Sequence, residues 1–260
     1  MPQRDLILNG QLGIWQPEKK DGYRFNIDSL LLAGYALRTL SSASHVVELG
    51  SGSAVIGLVM LHNHSQMTYE GVELQASLAD LSQLSIQEAS FEARAVIRQG
   101  DLRASTLPAG GADVVVFNPP YFREGSGRSS SNLGRRMARE ALHGDIDAFL
   151  VEAKRLLAPG GRVFAVLRPE RRKQALANAA ANGLHPREVC SVYTCEGGKH
   201  QLDLLQLTAE SFSSEEPTRL ALYLHQAAGQ RAYNEAVDSF LMGKTPSLPA
   251  EAFSSEPEQN

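Results

Sequence analysis

Short apolar runs alternate with longer segments of helical periodicity through most of the chain. The runs that predict strands are residues 45–49, 69–73, 95–98, 112–117 and 162–167. The segments that predict helices are residues 54–62, 76–92, 147–157 and 170–182. Alternation of this kind is typical of a mostly parallel sheet with helices on both faces, so we predict an α/β, Rossmann-like fold.

The two ends of the chain depart from this alternation. Asp28 predicts the N-cap of a helix that ends near residue 40 and acts as a lid. Residues 188–194 and 201–208, joined by a short glycine turn, predict an antiparallel pair at one edge of the sheet. Residues 220–242 predict a C-terminal helix or helix pair, and residues 245–260, rich in Pro, Ser and Glu, predict a disordered tail.

These elements divide the chain into four predicted parts. Residues 1–44 form the lid segment, and residues 45–210 form the main domain. Residues 211–243 form a helical extension, and residues 244–260 form the tail.

The net charge of −4 means that any surface attracting nucleic acid has to be local. Residues 123–173 are such a region, with twelve basic and six acidic side chains and a local charge of +6.

No stretch reaches the roughly 18 apolar residues that span a bilayer, and the first residues lack a signal-peptide core. Cys190 and Cys195 are too few for a disulfide framework. We therefore expect a cytoplasmic protein that does not enter a membrane.

A glycine-rich turn follows the first predicted strand of the sheet. Gly50 and Gly52 stand where the backbone can approach a ligand at a helix N-terminus. A dinucleotide fingerprint would place a third glycine at Val55, which weakens an NAD-binding interpretation without excluding it. Glu73 ends the second strand, where a carboxylate can hold a ribose diol. Asp101, after the third strand, can accept a hydrogen bond from an adenine amine.

The most specific feature is the corner Asn118-Pro119-Pro120-Tyr121, where the strand of residues 112–117 ends. A residue before a proline is held extended and neither proline has an N–H, so the corner is stiff and leaves carbonyls free. The Asn118 side-chain oxygen and the Pro119 carbonyl can draw an exocyclic amine toward sp³ geometry. Tyr121 can stack on the ring that carries this amine. The corner therefore indicates chemistry at an exocyclic amine.

These motifs, in this order and spacing, resemble the class I methyltransferase family. The turn at residues 157–161 resembles the family's turn before its fifth strand, and residues 24–33 are similar to the bacterial tRNA(Val) adenine-37 N6-methyltransferases. The resemblance covers roughly residues 6–207 and implies a sheet of seven strands, mostly parallel, with an antiparallel edge strand. Ala54 departs from the pattern, because many members have a third glycine there.

The resemblance also implies a cofactor, S-adenosyl-L-methionine, and the residues that hold it. Gly50 and Gly52 pass close to its methionine part, Glu73 holds the ribose and Asp101 the adenine. The other implied cofactor contacts are Phe25, Asp28, Glu48 and Asn118.

The implied reaction is N6-methylation of an adenine in tRNA, with adenine 37 of tRNA(Val) as the favoured target. Asn118, Pro119 and Tyr121 are then the catalytic residues. The residues expected to bind the substrate are Pro120, Tyr121, Phe122, Arg123, Arg135 and Arg136. Positioning dominates the rate of such a methyl transfer, so we expect that the reaction needs no metal ion. We also expect the protein to be a monomer.

Other activities share parts of this pattern. The same corner serves enzymes that methylate a glutamine amide in release factors, but these normally carry a helical N-terminal domain, and only about fifty residues precede the glycine turn here. N6-adenine methylation of rRNA or DNA is a second alternative, although a DNA enzyme usually needs a larger recognition domain. A cofactor-binding module without catalysis is a third, and the intact Asn118 and Tyr121 argue against it.

Overall fold

A computed structural model describes residues 2–18, 24–42, 44–120, 146–210 and 216–256. It begins with a β-hairpin of β1 (Gln3–Ile7) and β2 (Leu12–Gln16), which the sequence analysis does not predict. The hairpin packs on a helix, since the Trp15 N–H donates to Ser85 Oγ at 2.8 Å and the Trp15 indole donates to Glu88 at 2.9 Å.

Within the described residues, nine strands form one sheet. They are β3 His45–Leu49, β4 Thr68–Glu73, β5 Ala95–Gln99, β6 Ala112–Phe117, β7 Leu157–Leu167, β8 His185–Tyr193, β9 His200–Thr208, β10 Thr218–Tyr223 and β11 Phe253–Ser255. The helices are α1 Ile27–Leu37, α2 Val55–Asn63, α3 Ala76–Glu88, α4 Ile146–Leu156, α5 Arg172–Ala181 and α6 Glu235–Leu241.

The strand order is β11-β10-β8-β9-β7-β6-β3-β4-β5. Strands β3 to β7 pair in parallel, whereas β9 is antiparallel to both of its neighbours, β7 and β8. The predicted Rossmann-like class is confirmed, and β3 to β9 supply its seven strands. The expectation that the β8–β9 pair lies at an edge is wrong, because β10 pairs with β8 and extends the sheet.

The C-terminal part also differs from the prediction. Residues 218–223, expected in a helix, form β10, whose Ala221 and Leu222 are buried against the sheet. Part of the expected disordered tail forms β11, which pairs with β10 and is the antiparallel edge strand. The tail is polar on average, but Leu248 is fully buried and the Arg38 guanidinium covers the Phe253 ring at 4.0 Å. Local apolar contacts therefore override the overall composition.

Two apolar layers cover the faces of the sheet, because neighbouring strand residues point to opposite sides. Val46 of β3 packs in the layer under α1, α2 and α6. Val47, the next residue, packs in the layer under α4 and α5. Because β3, β4 and β6 are parallel, their carboxyl ends lie on the same side of the molecule. None of the helices within the described ranges has the length and apolar character needed to cross a membrane.

Candidate active site

The turn after β3 is built from residues in left-handed conformation. Gly50 and Gly52 have φ angles of +65° and +56°, which glycine adopts at little cost. Ala54 is also left-handed, with φ of +54°, and is fully buried. This conformation explains why a third glycine suits position 54, and it shows that alanine holds the same backbone here.

Glu73 at the end of β4 closes this turn. Its Oε2 accepts from the Gly52 N–H at 2.7 Å, and its Oε1 accepts from the Gln75 N–H at 2.8 Å. Glu73 is 5% exposed, and burial raises the pKa of its carboxyl against the opposing effect of these hydrogen bonds. The carboxylate is thus fixed beside the turn, where the sequence predicts a ribose-holding group.

Glu48 lies at the end of β3 and is directed partly into the core. Its Oε2 accepts from the Tyr69 hydroxyl at 2.7 Å and from the Gly57 N–H at 3.0 Å. Burial raises the pKa of this carboxyl to about 8. Glu48 therefore joins β3 to β4 and α2, and its predicted cofactor contact stays a prediction.

Asp101 follows β5, next to the end of β4, because the Gly100 N–H donates to the Glu73 carbonyl at 2.8 Å. Its Oδ1 accepts from the Arg103 N–H at 2.9 Å, and both oxygens accept from the Arg103 guanidinium at 2.5–3.1 Å. These bonds lower the pKa of the Asp101 carboxyl. An ionised acceptor consequently stands at the same edge as Glu73.

Asn118 at the end of β6 faces a small cavity that Phe25, Ser29, Gly50 and Gly52 also line. Its Nδ2 donates to Ser29 Oγ at 2.9 Å. Its Oδ1 is buried and has no hydrogen-bond partner among the described residues. The corner thus presents an unused acceptor next to the glycine turn.

The N-terminal end of α1 covers this cavity. The helix is capped by Asn26, whose side chain accepts from the Asp28 N–H at 3.1 Å, so the predicted N-cap at Asp28 is wrong. Asp28 is itself buried in the first turn, 3.7 Å from the Arg168 guanidinium. Burial raises the pKa of the Asp28 carboxyl, and the nearby charge of Arg168 opposes this rise.

The hairpin holds the segment that leads into α1. The Gln16 side chain accepts from the Phe25 N–H at 3.0 Å and donates to Asp5 at 2.7 Å. Arg24 forms an ion pair with the same Asp5. Sequence reasoning missed Gln16 because no local pattern links the hairpin to the lid.

The corner continues beyond Asn118 with Pro119, which is buried, and Pro120, which is half-buried. The remaining predicted catalytic and substrate residues lie outside the described residues; they are Tyr121, Phe122, Arg123, Arg135 and Arg136. Their roles stay predictions. In the described parts of the chain, no group of three or more His, Cys, Asp or Glu side chains is arranged to hold a metal ion.

The chain is similar to several known proteins. Residues 26–184 match the family model described as the methyltransferase small domain. The tRNA1(Val) (adenine(37)-N6)-methyltransferase of Tolumonas auensis is 28% identical over 190 residues, 73% of this chain and 78% of that protein. The protein of the same name from Actinobacillus pleuropneumoniae serotype 7 is 23% identical over 224 residues, 86% of this chain and 92% of that protein.

A solved structure supports the fold. A predicted O-methyltransferase from Agrobacterium tumefaciens superimposes with a TM-score of 0.66 at 20% identity, covering 84% of this chain and 96% of that one. At this identity the likeness concerns the architecture alone.

Proposed function

Because the chain belongs to the methyltransferase small domain family, we propose that it methylates the N6 of an adenine in tRNA, with adenine 37 of tRNA(Val) as the target. The protein is an enzyme and its cofactor is S-adenosyl-L-methionine. The names of its relatives support the choice of tRNA and of adenine 37. With this substrate, the protein would act in the cytoplasm.

The observation that carries the proposal is the buried Oδ1 of Asn118, which has no hydrogen-bond partner among the described residues. A buried acceptor without a partner is unfavourable, so a donor that reaches it gains a hydrogen bond. An exocyclic amine has two N–H donors. One can bond to this oxygen and the other to the Pro119 carbonyl, which together would hold the amine nitrogen at the end of β6.

The turn suits the proposed cofactor. A Cβ added at Gly52 would meet no atom within 4 Å, so the backbone there borders open space in which a ligand can approach. In the proposal, Gly50 and Gly52 border the methionine part, Glu73 holds the ribose and Asp101 the adenine. The remaining cofactor contacts in the proposal are Phe25 and Asp28 of the lid and Glu48 of β3.

The reaction asks mainly for positioning. The bound cofactor supplies an electrophilic methyl group on a sulfonium. Asn118 and Pro119 would hold the amine nitrogen at the end of β6, and the proton that the amine loses would pass to solvent. If alignment of the amine with the methyl group sets the rate, the reaction requires no strongly basic side chain.

The chain after the corner would hold the nucleotide. A base in an RNA loop has to be turned out before its N6 can react, and an aromatic ring stabilises it in that position. Tyr121 would stack on the adenine, next to Pro120 and Phe122. Arg123, Arg135 and Arg136 would bind the flanking phosphates.

The test is mass spectrometry of nucleosides from tRNA incubated with the enzyme and the cofactor. Wild type should produce N6-methyladenosine. Asn118→Ala should lose turnover but keep its affinity for the cofactor nearly intact, because the Asn118 oxygen acts mainly on the amine. Arg187→Gln, on the amino-terminal part of β8, serves as an unrelated control. Methylation of a release-factor glutamine in place of tRNA would contradict the proposal.

A further inference from the structure

Gln16 is the last residue of β2, and it is 1% exposed. Its side-chain amide makes two hydrogen bonds whose directions follow from the chemistry of the partners. The Phe25 N–H can only donate, so the atom that meets it at 3.0 Å is the Gln16 oxygen. The Asp5 carboxylate, which pairs with Arg24, accepts hydrogen bonds, so the atom 2.7 Å from it is the Gln16 nitrogen. The amide thus has one defined orientation.

The same hairpin holds the residue before Phe25. Besides Gln16, Asp5 of β1 binds the Arg24 guanidinium, which also donates to the Pro17 carbonyl at 2.8 Å. Gln16 and Phe25 are nine positions apart in the chain. Residues 24 and 25 are therefore tied directly to the hairpin, and their placement does not depend on the chain between.

Phe25 lies between this network and the proposed cofactor site. It packs against the apolar layer under α1, and it lines the same cavity as Gly50, Gly52 and Asn118. The helix α1 begins two residues later. A side chain that is already held in place loses little freedom when a ligand binds, so a fixed Phe25 lowers the entropic cost of binding.

We propose that Gln16 is a positioning residue for the cofactor. It holds the Phe25 backbone so that the ring forms one wall of the site for S-adenosyl-L-methionine. This inference rests on the proposed function, because it takes Phe25 as a cofactor contact, but it does not depend on the choice of tRNA as substrate. The described residues that line the cavity do not include Gln16, so Gln16 acts through Phe25.

Calorimetry with S-adenosyl-L-methionine, in the absence of RNA, tests this coupling. Gln16→Met keeps the length of the side chain and removes its hydrogen bonds, so it should raise the Kd about threefold to tenfold, the range expected from one net hydrogen bond. Phe25→Ala should also raise the Kd. When Gln16→Met is added to Phe25→Ala, the Kd should change less than about twofold. The same additional loss in both backgrounds would overturn the inference.

Ser85→Ala is the matched control for a loosened hairpin. The Ser85 hydroxyl accepts from the N–H of Trp15, the residue before Gln16, and its loss leaves the bond to Phe25 in place. Ser85→Ala should lower Tm and keep the Kd within about twofold of wild type. If the Kd rises as much in Ser85→Ala as in Gln16→Met, any loosening of the hairpin weakens the site and the specific role of Gln16 is wrong.

An exchange of side chains separates the hydrogen bonds from damage to the fold. Gln16→Glu combined with Asp5→Asn swaps the amide and the carboxylate without changing the net charge or the length of either side chain. The new carboxylate at position 16 can accept from the Phe25 N–H and from the new amide at position 5. This double variant should keep the Kd within about twofold of wild type. A Kd as high as that of Gln16→Met would overturn the inference, whereas a failure to methylate tRNA would contradict the proposed function alone.

Discussion

Glu73 and Gly52, 21 residues apart in the chain, are joined by a 2.7 Å hydrogen bond from the glycine N–H to the carboxylate. The bond connects the ends of the parallel neighbours β3 and β4. A second oxygen of the same carboxylate holds the start of α3 through Gln75. One side chain thus joins the turn after β3 to the start of α3.

We predict that Glu73→Gln weakens cofactor binding by about tenfold to a hundredfold, the range expected for a hydrogen bond to a charged group. In the carboxylate, separate oxygens accept from Gly52 and Gln75, so the amide would place its NH₂ group against one of these N–H donors and would leave fewer acceptors for the cofactor. Calorimetry with the cofactor measures the loss. Glu70→Gln is the matched control, since Glu70 lies on the same strand and is bound to Arg98. Equal affinity in all three proteins would remove Glu73 from the site.

A pair of glycine substitutions separates backbone strain from loss of the site. Gly52 and Gly197 both have positive φ, and a Cβ at either would meet no atom within 4 Å. Gly52→Ala and Gly197→Ala should therefore cost similar stability, about 1–2 kcal/mol for a left-handed alanine. Only Gly52→Ala should also weaken binding of the cofactor, because the alanine methyl group would project into the proposed binding space. Thermal melting and calorimetry together check this, and a loss of affinity in both variants would contradict it.

Much of the fold follows from local patterns. The strands β3 and β6 begin and end at the predicted residues, because each is a short apolar run bounded by polar or glycine turns. The elements that the sequence analysis missed depend on distant partners. The hairpin is held by Ser85 and Glu88 of α3, and β11 forms because β10 offers it an edge. No local pattern carries such contacts.

The candidate site shows the same division. Gly50, Glu73 and Asn118 were predicted because each ends a strand, and parallel neighbours bring such ends together. Ser29 lies in a segment that the sequence singles out, but its bond to Asn118 depends on how α1 crosses the sheet. The N-cap was misplaced because Asn26 and Asp28 are both good caps, and only the backbone decides between them.

Glu48 should make the stability of the protein depend on pH. Burial raises the pKa of its carboxyl from the ordinary 4.5 to about 8 in the folded state. Between these values the unfolded chain releases the proton while the folded chain keeps it. The free energy of unfolding should therefore fall as pH rises, by up to about 1.4 kcal/mol per pH unit.

Urea unfolding between about pH 5 and about pH 8 tests this, with Glu48→Gln as the comparison. The glutamine oxygen can accept the hydrogen bonds from Tyr69 and Gly57, so the variant should fold. Its free energy of unfolding should lose most of the decline with rising pH that wild type shows. The raised pKa of Glu73 adds a dependence of the same sign, which both proteins share. Parallel curves for wild type and variant would refute the assignment to Glu48.

The last prediction concerns the RNA and depends on Arg135 and Arg136, which follow the corner in the sequence. If they bind phosphates, replacing both with glutamine should raise the tRNA concentration needed for activity. It should also flatten the salt dependence of tRNA binding: the slope of log affinity against log salt concentration should fall by about 0.7–0.9 for each lost phosphate contact. Cofactor affinity should be unchanged. Methylation rates at several salt concentrations supply the measurement.

The matched control removes two positive charges from the opposite edge of the sheet. Lys154 is exposed near the end of α4, which leads into the amino end of β7, and Arg187 is exposed near the start of β8. Lys154→Gln with Arg187→Gln changes the net charge equally, so a general electrostatic effect would flatten the slope as much as the first pair does. If the slope falls only when Arg135 and Arg136 are replaced, these two side chains bind the phosphates. A weak slope that is identical in wild type and both double variants would argue for a protein substrate, because a glutamine amide brings no phosphate to the site.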